Sequence, residues 1–311
     1  MKILVTGGAG FIGSHLSERL LQDGHSVKVL DNFDNYYSPE LKQENIRKCL
    51  ENFNFELITG DVRNKETVQN AIEGVGAVVH EAAQAGVRAS VEDPEKTVSV
   101  NIDGTLNVLV AAREARVKKI VFASSSSVYG KTKYLPYDEK HPTEPISPYG
   151  VTKLAGEHMC RVFSGLYGME IPMLRYFTVY GPRVRPDLAI NKFFRRAMKN
   201  EKIEIYGDGS KTRDFTYVGD IVEGTLLALE KGKTGPYNLG GGNRVSVKEL
   251  AEKIIQITGS SSEVVYTENQ AGDVIDTLSN ASKAREELGW EPKMKIDEGL
   301  RNYYEWVKGR E

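Results

Sequence analysis

Short apolar runs and amphipathic stretches alternate along the first half of the chain. The runs predict strands and the stretches between them predict helices, because buried strands favour β-branched residues and surface helices carry apolar residues at helical spacing. Strands are predicted at residues 2–6, 26–31, 55–61, 77–83, 119–125 and 169–177, and helices at 11–22, 65–73, after Pro94 and at 149–166. This alternation predicts an α/β fold with a doubly wound parallel sheet.

The rhythm loosens after about residue 180. Short predicted strands (203–207, 237–240, 263–267) now alternate with helices near 190–200, 219–231, 246–258 and 296–308. We interpret this part as a smaller α/β domain interleaved with the first. The predicted division is 1–180 for the first domain and mainly 181–311 for the second, with parts of about 215–245 returning to the first.

Composition narrows the function classes. The 311 residues carry a formal net charge of −2, so no basic field indicates a nucleic acid partner. No apolar run is long enough for a membrane span, and the chain opens on a strand and a turn, leaving no room for a signal peptide. Cys49 and Cys160 lack metal-ligand spacing and the five histidines form no metal motif, so we expect a cytoplasmic protein without a metal.

The turn after the first predicted strand has the spacing GxxGxxG, with glycines at 7, 10 and 13. Glycines let a backbone approach a pyrophosphate, and the following helix N-terminus offers free N–H groups. Asp31, at the end of the second strand, is placed to accept hydrogen bonds from a ribose diol and would repel a 2′-phosphate. The pattern predicts a Rossmann-like NAD site, and Asp61 with Val62 is expected to border the adenine.

A catalytic constellation is predicted farther along the chain. Tyr149 and Lys153 are one helical turn apart, so they share a helix face. A lysine ammonium beside a phenol lowers the phenol pKa and makes it usable as a base. Ser125 lies in a serine run at the end of the fifth predicted strand, where open α/β sheets place their ligand sites.

Several motifs, TGGAGFIGSHL, SSSSVYG, SPYGVTK, LRYFTVYGPR and KTRDFTYVGDI, together resemble the nucleotide-sugar epimerase/dehydratase family of extended short-chain dehydrogenases/reductases. The resemblance spans essentially the whole chain. It implies bound NAD, a nucleoside-diphosphate sugar between the domains, and the catalytic trio Ser125, Tyr149 and Lys153. The implied NAD-binding residues are Gly7, Gly10, Phe11, Ile12, Gly13, Asp31, Asn32, Asp61, Val62, Ala82, Gln84, Asn101, Tyr149, Lys153 and Tyr176.

The family's chemistries diverge after a shared oxidation at C4 of the sugar. Relatives that eliminate water or decarboxylate carry acidic residues just before VYG, where this chain has Ser126 and Ser127. An unaided serine cannot supply that acid–base chemistry, which favours rotation of the 4-keto sugar and 4-epimerisation. A dehydratase or reductase remains the alternative. A non-catalytic NAD-binding protein is disfavoured because both Tyr149 and Lys153 are present.

The resemblance also implies a UDP-sugar site. Arg213 is expected to bind the diphosphate and Asp273 the uridine ribose, while Gln270 replaces a phosphate-binding arginine of relatives. Arg88, Thr178 and Arg185 suit a C6 carboxylate, although the two arginines could instead serve phosphate or solvent, and a small Thr277 leaves room for larger sugars. Ser126, Ser127 and Tyr206 complete the expected set. UDP-glucose, UDP-N-acetylglucosamine and UDP-glucuronate all remain open, and pairing of helices into a homodimer is expected.

Overall fold

The computed structural model describes residues 1–268 and 274–310, and its main sheet is parallel throughout. Within those ranges the main sheet has seven strands in the order β10-β6-β5-β4-β1-β2-β3. These strands are β1 (Lys2–Thr6), β2 (Ser26–Asp31), β3 (Phe55–Thr59), β4 (Ala77–His80), β5 (Lys119–Ser125), β6 (Pro172–Tyr176) and β10 (Gly235–Leu239).

Helices cover both faces of this sheet and the small sheets beside it. Two apolar clusters of buried side chains lie on opposite faces of the main sheet, one centred on Leu16 and Ile221 and the other on Leu109 and Cys160. The helices are α1 (Phe11–Gln22), α2 (Pro39–Leu50), α3 (Lys65–Ile72), α4 (Val87–Glu92), α5 (Pro94–Val98), α6 (Gly104–Glu114), α7 (Pro148–Tyr167), α8 (Ala189–Met198), α9 (Val218–Lys231), α10 (Val247–Thr258), α11 (Ser282–Leu288) and α12 (Ile296–Lys308).

The chain changes direction across the main sheet at β1. Strands β2 and β3 extend from one side of β1, whereas β4, β5 and β6 extend from the other. A crevice opens at the carboxyl ends of the strands where the strand order reverses, which is where open α/β sheets bind ligands. The predicted doubly wound α/β fold is therefore confirmed.

Two small sheets follow the main one. They are built from β7 (Val179–Tyr180), β8 (Ile203–Tyr206), β9 (Thr212–Tyr217), β11 (Asn243–Ser246) and β12 (Val264–Thr267). Strand β9 pairs with β11 and β7, and β8 pairs with β12. A third apolar cluster, including Phe194, Leu250 and Leu300, joins α8, α10 and α12 to them. Within 215–245, α9 and β10 pack with the main sheet, whereas β9 and β11 belong to a small one.

Several predicted elements differ in extent or were missed. The third and fourth strands end at Thr59 and His80, earlier than the sequence pattern predicts, and the following residues turn toward the crevice. Helix α2 was not predicted, although Ser38 caps it by accepting the amide of Leu41. Strands β7, β9 and β11 were also missed, because two- to six-residue runs with mixed polarity carry little periodic signal.

The long helix predicted after Pro94 is interrupted. A π-helical segment, Ser99–Asp103, separates α5 from α6. Such segments insert one extra residue per turn and occur mostly at functional sites. Here the irregular turn carries Asn101, one of the predicted cofactor residues. No helix in the described ranges is long and apolar enough to cross a membrane.

Candidate active site

The glycine loop between β1 and α1 leaves no room for side chains. Gly7 has a φ of +70°, and a Cβ atom there would lie 2.8 Å from the backbone of Ala82. A Cβ atom on Gly13 would overlap the carbonyl oxygen of Gly7. The loop therefore packs backbone against backbone, and it leaves the N-terminus of α1 facing the crevice, as a dinucleotide pyrophosphate requires.

Asp31 closes β2 beside this loop. Its two carboxylate oxygens accept the amides of Ala9 (3.0 Å) and Phe33 (2.9 Å), and burial raises the pKa of its carboxyl group. Asn32 donates to Asp61 at 2.8 Å. Arg63 donates both side-chain and backbone N–H groups to Asp61, and this lowers the pKa of Asp61 to about 2. The carboxylates of Asp31 and Asp61 are thus both held in fixed orientations at this end of the crevice, with Asp31 in its lining and Asp61 outside it.

A cleft of about 1090 Å³, part of it open to solvent, runs from the glycine loop to α7. Most of the predicted cofactor residues line it together with Arg185. Those residues are Gly7, Gly10, Phe11, Ile12, Gly13, Asp31, Asn32, Val62, Ala82, Gln84, Tyr149, Lys153 and Tyr176. The other predicted site residues lie outside this lining and are described below.

Tyr149 and Lys153 meet at the α7 end of the cleft. The Lys153 ammonium lies 5.9 Å from the centroid of the Tyr149 ring and donates to the carbonyl oxygen of Ala123 at 2.7 Å. Burial raises the pKa of Tyr149, and Arg185 and a hydrogen bond with Ser125 oppose that rise. Lys153 was expected to lower this pKa, but in the structure Arg185 is the larger cationic influence, because Lys153 is turned toward Ala123.

Ser125 stands at the last position of β5 and orders the serine loop that follows. Its hydroxyl donates to the Ser127 hydroxyl at 3.1 Å and accepts the Ser127 amide at 3.1 Å. Ser126 lies between them, in a single turn of 3₁₀ helix. The structure therefore brings Ser125, Tyr149 and Lys153 together, with Ser126 and Ser127 next to them.

A buried ion pair supports the floor of the cleft below these residues. Glu157 of α7 and Arg175 of β6 form two hydrogen bonds, at 2.8 and 2.7 Å, and their side chains are 0% and 2% exposed. Ser124, which lines the cleft, donates to Glu157 at 2.6 Å. Arg175 also donates to the hydroxyl of Tyr129 at 3.0 Å. This network ties β5, β6 and α7 together beneath Ser125, Tyr149 and Lys153.

Asn101 does not line the cleft but fixes part of its wall. It accepts the amide of Gln84 at 2.8 Å and donates to the hydroxyl of Thr152 at 2.9 Å. The loop after β4 is thereby held against α7. His80 bridges Thr6 and Thr105 behind this wall, and burial lowers its pKa to about 3, so it is neutral.

Glu81 is a cleft residue that the sequence interpretation missed. It follows β4 directly, lines the cleft beside Lys153 and Tyr149, and accepts a hydrogen bond from Tyr176 at 2.8 Å. Burial raises its pKa to about 7. A charged residue immediately after a fully buried strand, at the carboxyl edge of a parallel sheet, is the signal that could have identified it.

The predicted C6 region is occupied by protein contacts. Arg185 donates both Nε and Nη2 to the Asp187 carboxylate at 3.0 Å, and it lies over the ring of Tyr36. Tyr36 in turn donates to Asp187 at 3.0 Å. Thr178 lies at the start of the small sheet, where its carbonyl oxygen accepts the amide of Thr216.

The remaining predicted substrate residues are spread over the second half. The guanidinium of Arg88 stacks 4.5 Å above the Tyr206 ring, which joins α4 to β8. Arg213 donates to the carbonyl oxygen of Thr212 at 2.8 Å. Thr277 is buried, and its hydroxyl accepts the amide of Asp214 at 2.9 Å. Gln270 and Asp273 lie outside the described residues.

Comparisons with known proteins agree with this arrangement. The GDP-mannose 4,6 dehydratase family matches residues 4–303. A putative UDP-glucose 4-epimerase of Methanocaldococcus jannaschii is 40% identical over 311 residues and covers 98% of both chains. The UDP-glucuronate 4-epimerase of Thermodesulfobacterium geofontis is 39% identical over 308 residues and covers 98% of this chain and 95% of its own.

Solved structures give the same result. The UDP-glucuronic acid 4-epimerase from Bacillus cereus, in complex with UDP-glucuronic acid and NAD, superimposes with a TM-score of 0.95. The two sequences are 37% identical, and the match covers 100% of each chain. The chain therefore belongs to the nucleotide-sugar epimerase/dehydratase family of extended short-chain dehydrogenases/reductases, as its motifs predicted.

Proposed function

We propose that this chain is a UDP-sugar 4-epimerase that inverts C4 through a transient 4-keto sugar with tightly bound NAD. The observation that carries the proposal is the meeting of Ser125, Tyr149 and Lys153 at one end of a cleft that begins at the glycine loop. Relatives named as 4-epimerases align over almost the whole chain, which supports the same chemistry here.

The cleft fits NAD at its nucleotide end. The glycines of the loop after β1 have no side chains to keep a pyrophosphate from the backbone. Asp31 lies where a ribose diol must be held. Tyr149, Lys153 and Tyr176 line the other end. Held by these residues, NAD would supply the acceptor for the hydride of C4 and the donor that restores it.

Tyr149 performs the proton transfer in this mechanism. Its phenol oxygen accepts the proton of the C4 hydroxyl as the keto sugar forms and returns it as the hydroxyl is restored. Ser125 hydrogen-bonds to Tyr149, and the positive charge of Arg185 favours the phenolate, while Lys153 places a second cation at the same end of the cleft. Proton and hydride both return to the sugar, so the reaction consumes neither.

Epimerisation rather than dehydration follows from the serine loop. A dehydratase needs an acid and a base at positions 126 and 127, and serine hydroxyls cannot fill those roles. The amide and hydroxyl of Ser127 are both hydrogen-bonded to Ser125. With no group at these two positions to eliminate water, the keto sugar has only to turn its other face before it is reduced.

Tyr149→Phe tests the chemistry. The ring and its packing stay while the hydroxyl is lost, so epimerisation should fall by about 100- to 10,000-fold with NAD still bound. Tyr134→Phe removes the hydroxyl of a tyrosine outside the cleft lining and should keep full activity. A Tyr149→Phe enzyme with more than about a tenth of the wild-type rate would require a different base.

The product class is tested in deuterated solvent. Epimerisation by proton and hydride return leaves the carbon-bound hydrogens unexchanged, whereas deuterium at C5 would indicate elimination. A panel of UDP-glucose, UDP-N-acetylglucosamine and UDP-glucuronate identifies the sugar. A protein that holds NAD but converts none of them would instead be a non-catalytic NAD-binding protein.

Apolar side chains are exposed on three neighbouring helices. Val98, Leu106, Val151, Val162 and Leu166 are all at least 40% exposed on α5, α6 and α7. A homodimer that pairs these helices would cover them, and light scattering that shows a monomer at working concentration would refute it. The free, buried Cys49 and Cys160 suit a reducing compartment, so we place the enzyme in the cytoplasm.

A further inference from the structure

Lys153 is a buried cation that needs a counter-charge. Its side chain is only 4% exposed, and its ammonium donates to the carbonyl oxygen of Ala123 while lying 5.2 Å from the centroid of the Phe122 ring. Burial lowers the pKa of Lys153 to about 8. A carbonyl and an aromatic face stabilise an ammonium only in part, because an isolated charge loses several kcal/mol of hydration on burial.

The carboxylate suggested by the sequence is already in use. Glu157 lies one helical turn beyond Lys153, a spacing that commonly forms an ion pair. In the structure both of its oxygens are bonded to Arg175, and one also accepts the Ser124 hydroxyl. Glu157 is therefore committed to the floor of the cleft, and Lys153 faces the opposite way, toward the cleft itself.

Glu81 is the acidic group on that side. It reaches the cleft from the end of β4, and it is the carboxylate whose charge supports the ammonium of Lys153. Tyr176 holds it, with the phenol oxygen 2.8 Å from the carboxylate and 2.9 Å from the hydroxyl of Thr225. The charge of Glu81 is thereby fixed in position at the wall of the cleft.

This hydrogen-bond chain accommodates both charge states of Glu81 without moving heavy atoms. When the carboxyl is ionised, Tyr176 donates to it. When the carboxyl is protonated, it donates to Tyr176, and the phenol then donates to Thr225. Thr225 can still donate onward, because its hydroxyl is 2.8 Å from the carbonyl oxygen of Ile221. Either state of Glu81 is therefore satisfied.

We propose that Glu81 is a positioning residue for the reaction, the counter-charge that holds the Lys153 ammonium in its charged form beside Tyr149. The inference rests on the proposed function, because Lys153 matters only where Tyr149 exchanges a proton. Glu81 acts through Lys153, and its carboxylate has no part in the bonds that form and break.

Four other titratable side chains surround Glu81 and Lys153. Tyr176 of β6 and Tyr149 of α7 face Glu81, and burial raises the pKa of both phenols. His80 and Cys160 face Lys153, but burial lowers the pKa of the histidine to about 3 and raises that of the thiol. Apart from Tyr149, whose proton exchange is the reaction itself, Glu81 and Lys153 are thus the groups of this site that change charge near neutral pH.

The sign of the effect follows from these influences. A negative charge at position 81 raises the pKa of Lys153 and also that of Tyr149. Removing it lowers both, so the rising and falling limbs of the pH–rate profile both move to lower pH. The limbs are apparent values of the coupled site, and their common direction is the expected signature.

Glu81→Gln is the test, because glutamine keeps the shape and a hydrogen bond to Tyr176. The alkaline limb of kcat/KM should move down by about one pH unit, the size of shift that the loss of a nearby opposite charge typically produces. Activity should then fall about tenfold above pH 8, whereas on the acid side it should equal or exceed that of the wild type, because the rising limb also moves to lower pH. Glu81→Asp, which keeps the charge, should restore most of the wild-type profile.

Glu139→Gln is the matched control. Glu139 is also a carboxyl group whose pKa burial raises, and it accepts the amide of Asn238 at 2.8 Å away from the cleft lining. Its loss should leave both limbs in place. If Glu81→Gln lowers the rate equally at every pH, or if the control shifts the limbs as much, the proposal is overturned.

A second readout does not depend on activity. In protein with ¹³C-labelled lysine, the Lys153 Cε resonance, identified by its loss in Lys153→Met, should titrate at lower pH in Glu81→Gln than in wild type. An unchanged titration would refute the counter-charge. Absence of epimerisation by the wild-type protein would refute the proposed function instead, whatever the resonance does.

Discussion

The two ends of the substrate and cofactor region are built in different ways. At the cofactor end the site consists of backbone, in which Gly7 and Gly13 are in contact and Asp31 is held by two amides. At the substrate end the site consists of long side chains that already have protein partners. Arg185 is bonded to Asp187, and Arg88 stacks on Tyr206.

The cofactor end therefore has fixed contacts, whereas the contacts of the substrate end can be exchanged. Backbone contacts cannot be replaced by a ligand, so we expect the glycine loop to keep its shape when a dinucleotide binds. An arginine bonded to a carboxylate can exchange that partner for an anionic group of the substrate. Variation among sugars is therefore expected at the second end, and a constant cofactor at the first.

A substitution in the glycine loop should have the largest effect on cofactor binding and stability. In Gly13→Ala the new methyl group overlaps the Gly7 carbonyl oxygen, and backbone must move. We expect the purified protein to lose its bound NAD and about 1–3 kcal/mol of unfolding free energy, measured by nucleotide content and urea denaturation. Gly165→Ala, at a helical position with no neighbouring atoms within 4 Å, should keep its NAD and gain about 0.5–1 kcal/mol.

Asp31→Asn should have the next largest effect. The side chain keeps its size but loses the charge that repels a 2′-phosphate, so the preference for NAD over NADP should drop about tenfold. Binding constants for the two cofactors measure this directly. If the wild-type protein binds NAD and NADP equally well, Asp31 does not determine the choice of cofactor.

Arg185→Ala tests which sugar the substrate end of the cleft prefers. We expect kcat/KM to fall about tenfold more for UDP-glucuronate than for UDP-glucose, the loss typical of one charge-assisted hydrogen bond. Because Asp187 also loses its partner, the free energy of unfolding should be measured in the same samples. Equal losses with both sugars would assign Arg185 to the diphosphate or to the fold.

The smallest effect concerns the adenosine end. The hydrogen bonds from Arg63 hold the pKa of Asp61 near 2, below its ordinary value. The stability from this pair is complete above the ordinary aspartate pKa and is lost as the pH falls toward about 2. Arg63→Ala should therefore cost less than about 1 kcal/mol at neutral pH and nothing at the acid end, in urea unfolding followed across that range.

The same contrast explains what could be predicted from the sequence. The glycine loop, Asp31 and the strand–helix alternation follow from local rules, and their positions were predicted to within a few residues. Tyr149 and Lys153 were predicted from helical spacing. The partners of these groups were not, because Glu81 reaches Lys153 from another strand and Arg185 reaches the Tyr149 end of the cleft from a distant loop.

Short structural elements were also not predicted from the sequence. The π-helical turn at Ser99–Asp103 has no pattern that distinguishes it from the helix around it, yet it carries Asn101 to the wall of the cleft. Glu157 shows that helical spacing alone does not decide a partner, since it lies one turn beyond Lys153 but is bonded to Arg175. Local signals identified the chemical groups, and long-range packing decided their partners.

The position of β10 has a consequence for how the chain is made. This strand covers the outer edge of β6 in the main sheet, but residues 177–234 are synthesised between the two. Until β10 has left the ribosome, the N–H and C=O groups on that edge of β6 have no strand to pair with. The nascent protein therefore carries an open sheet edge while residues 177–234 are made, and chaperone binding should peak in that interval.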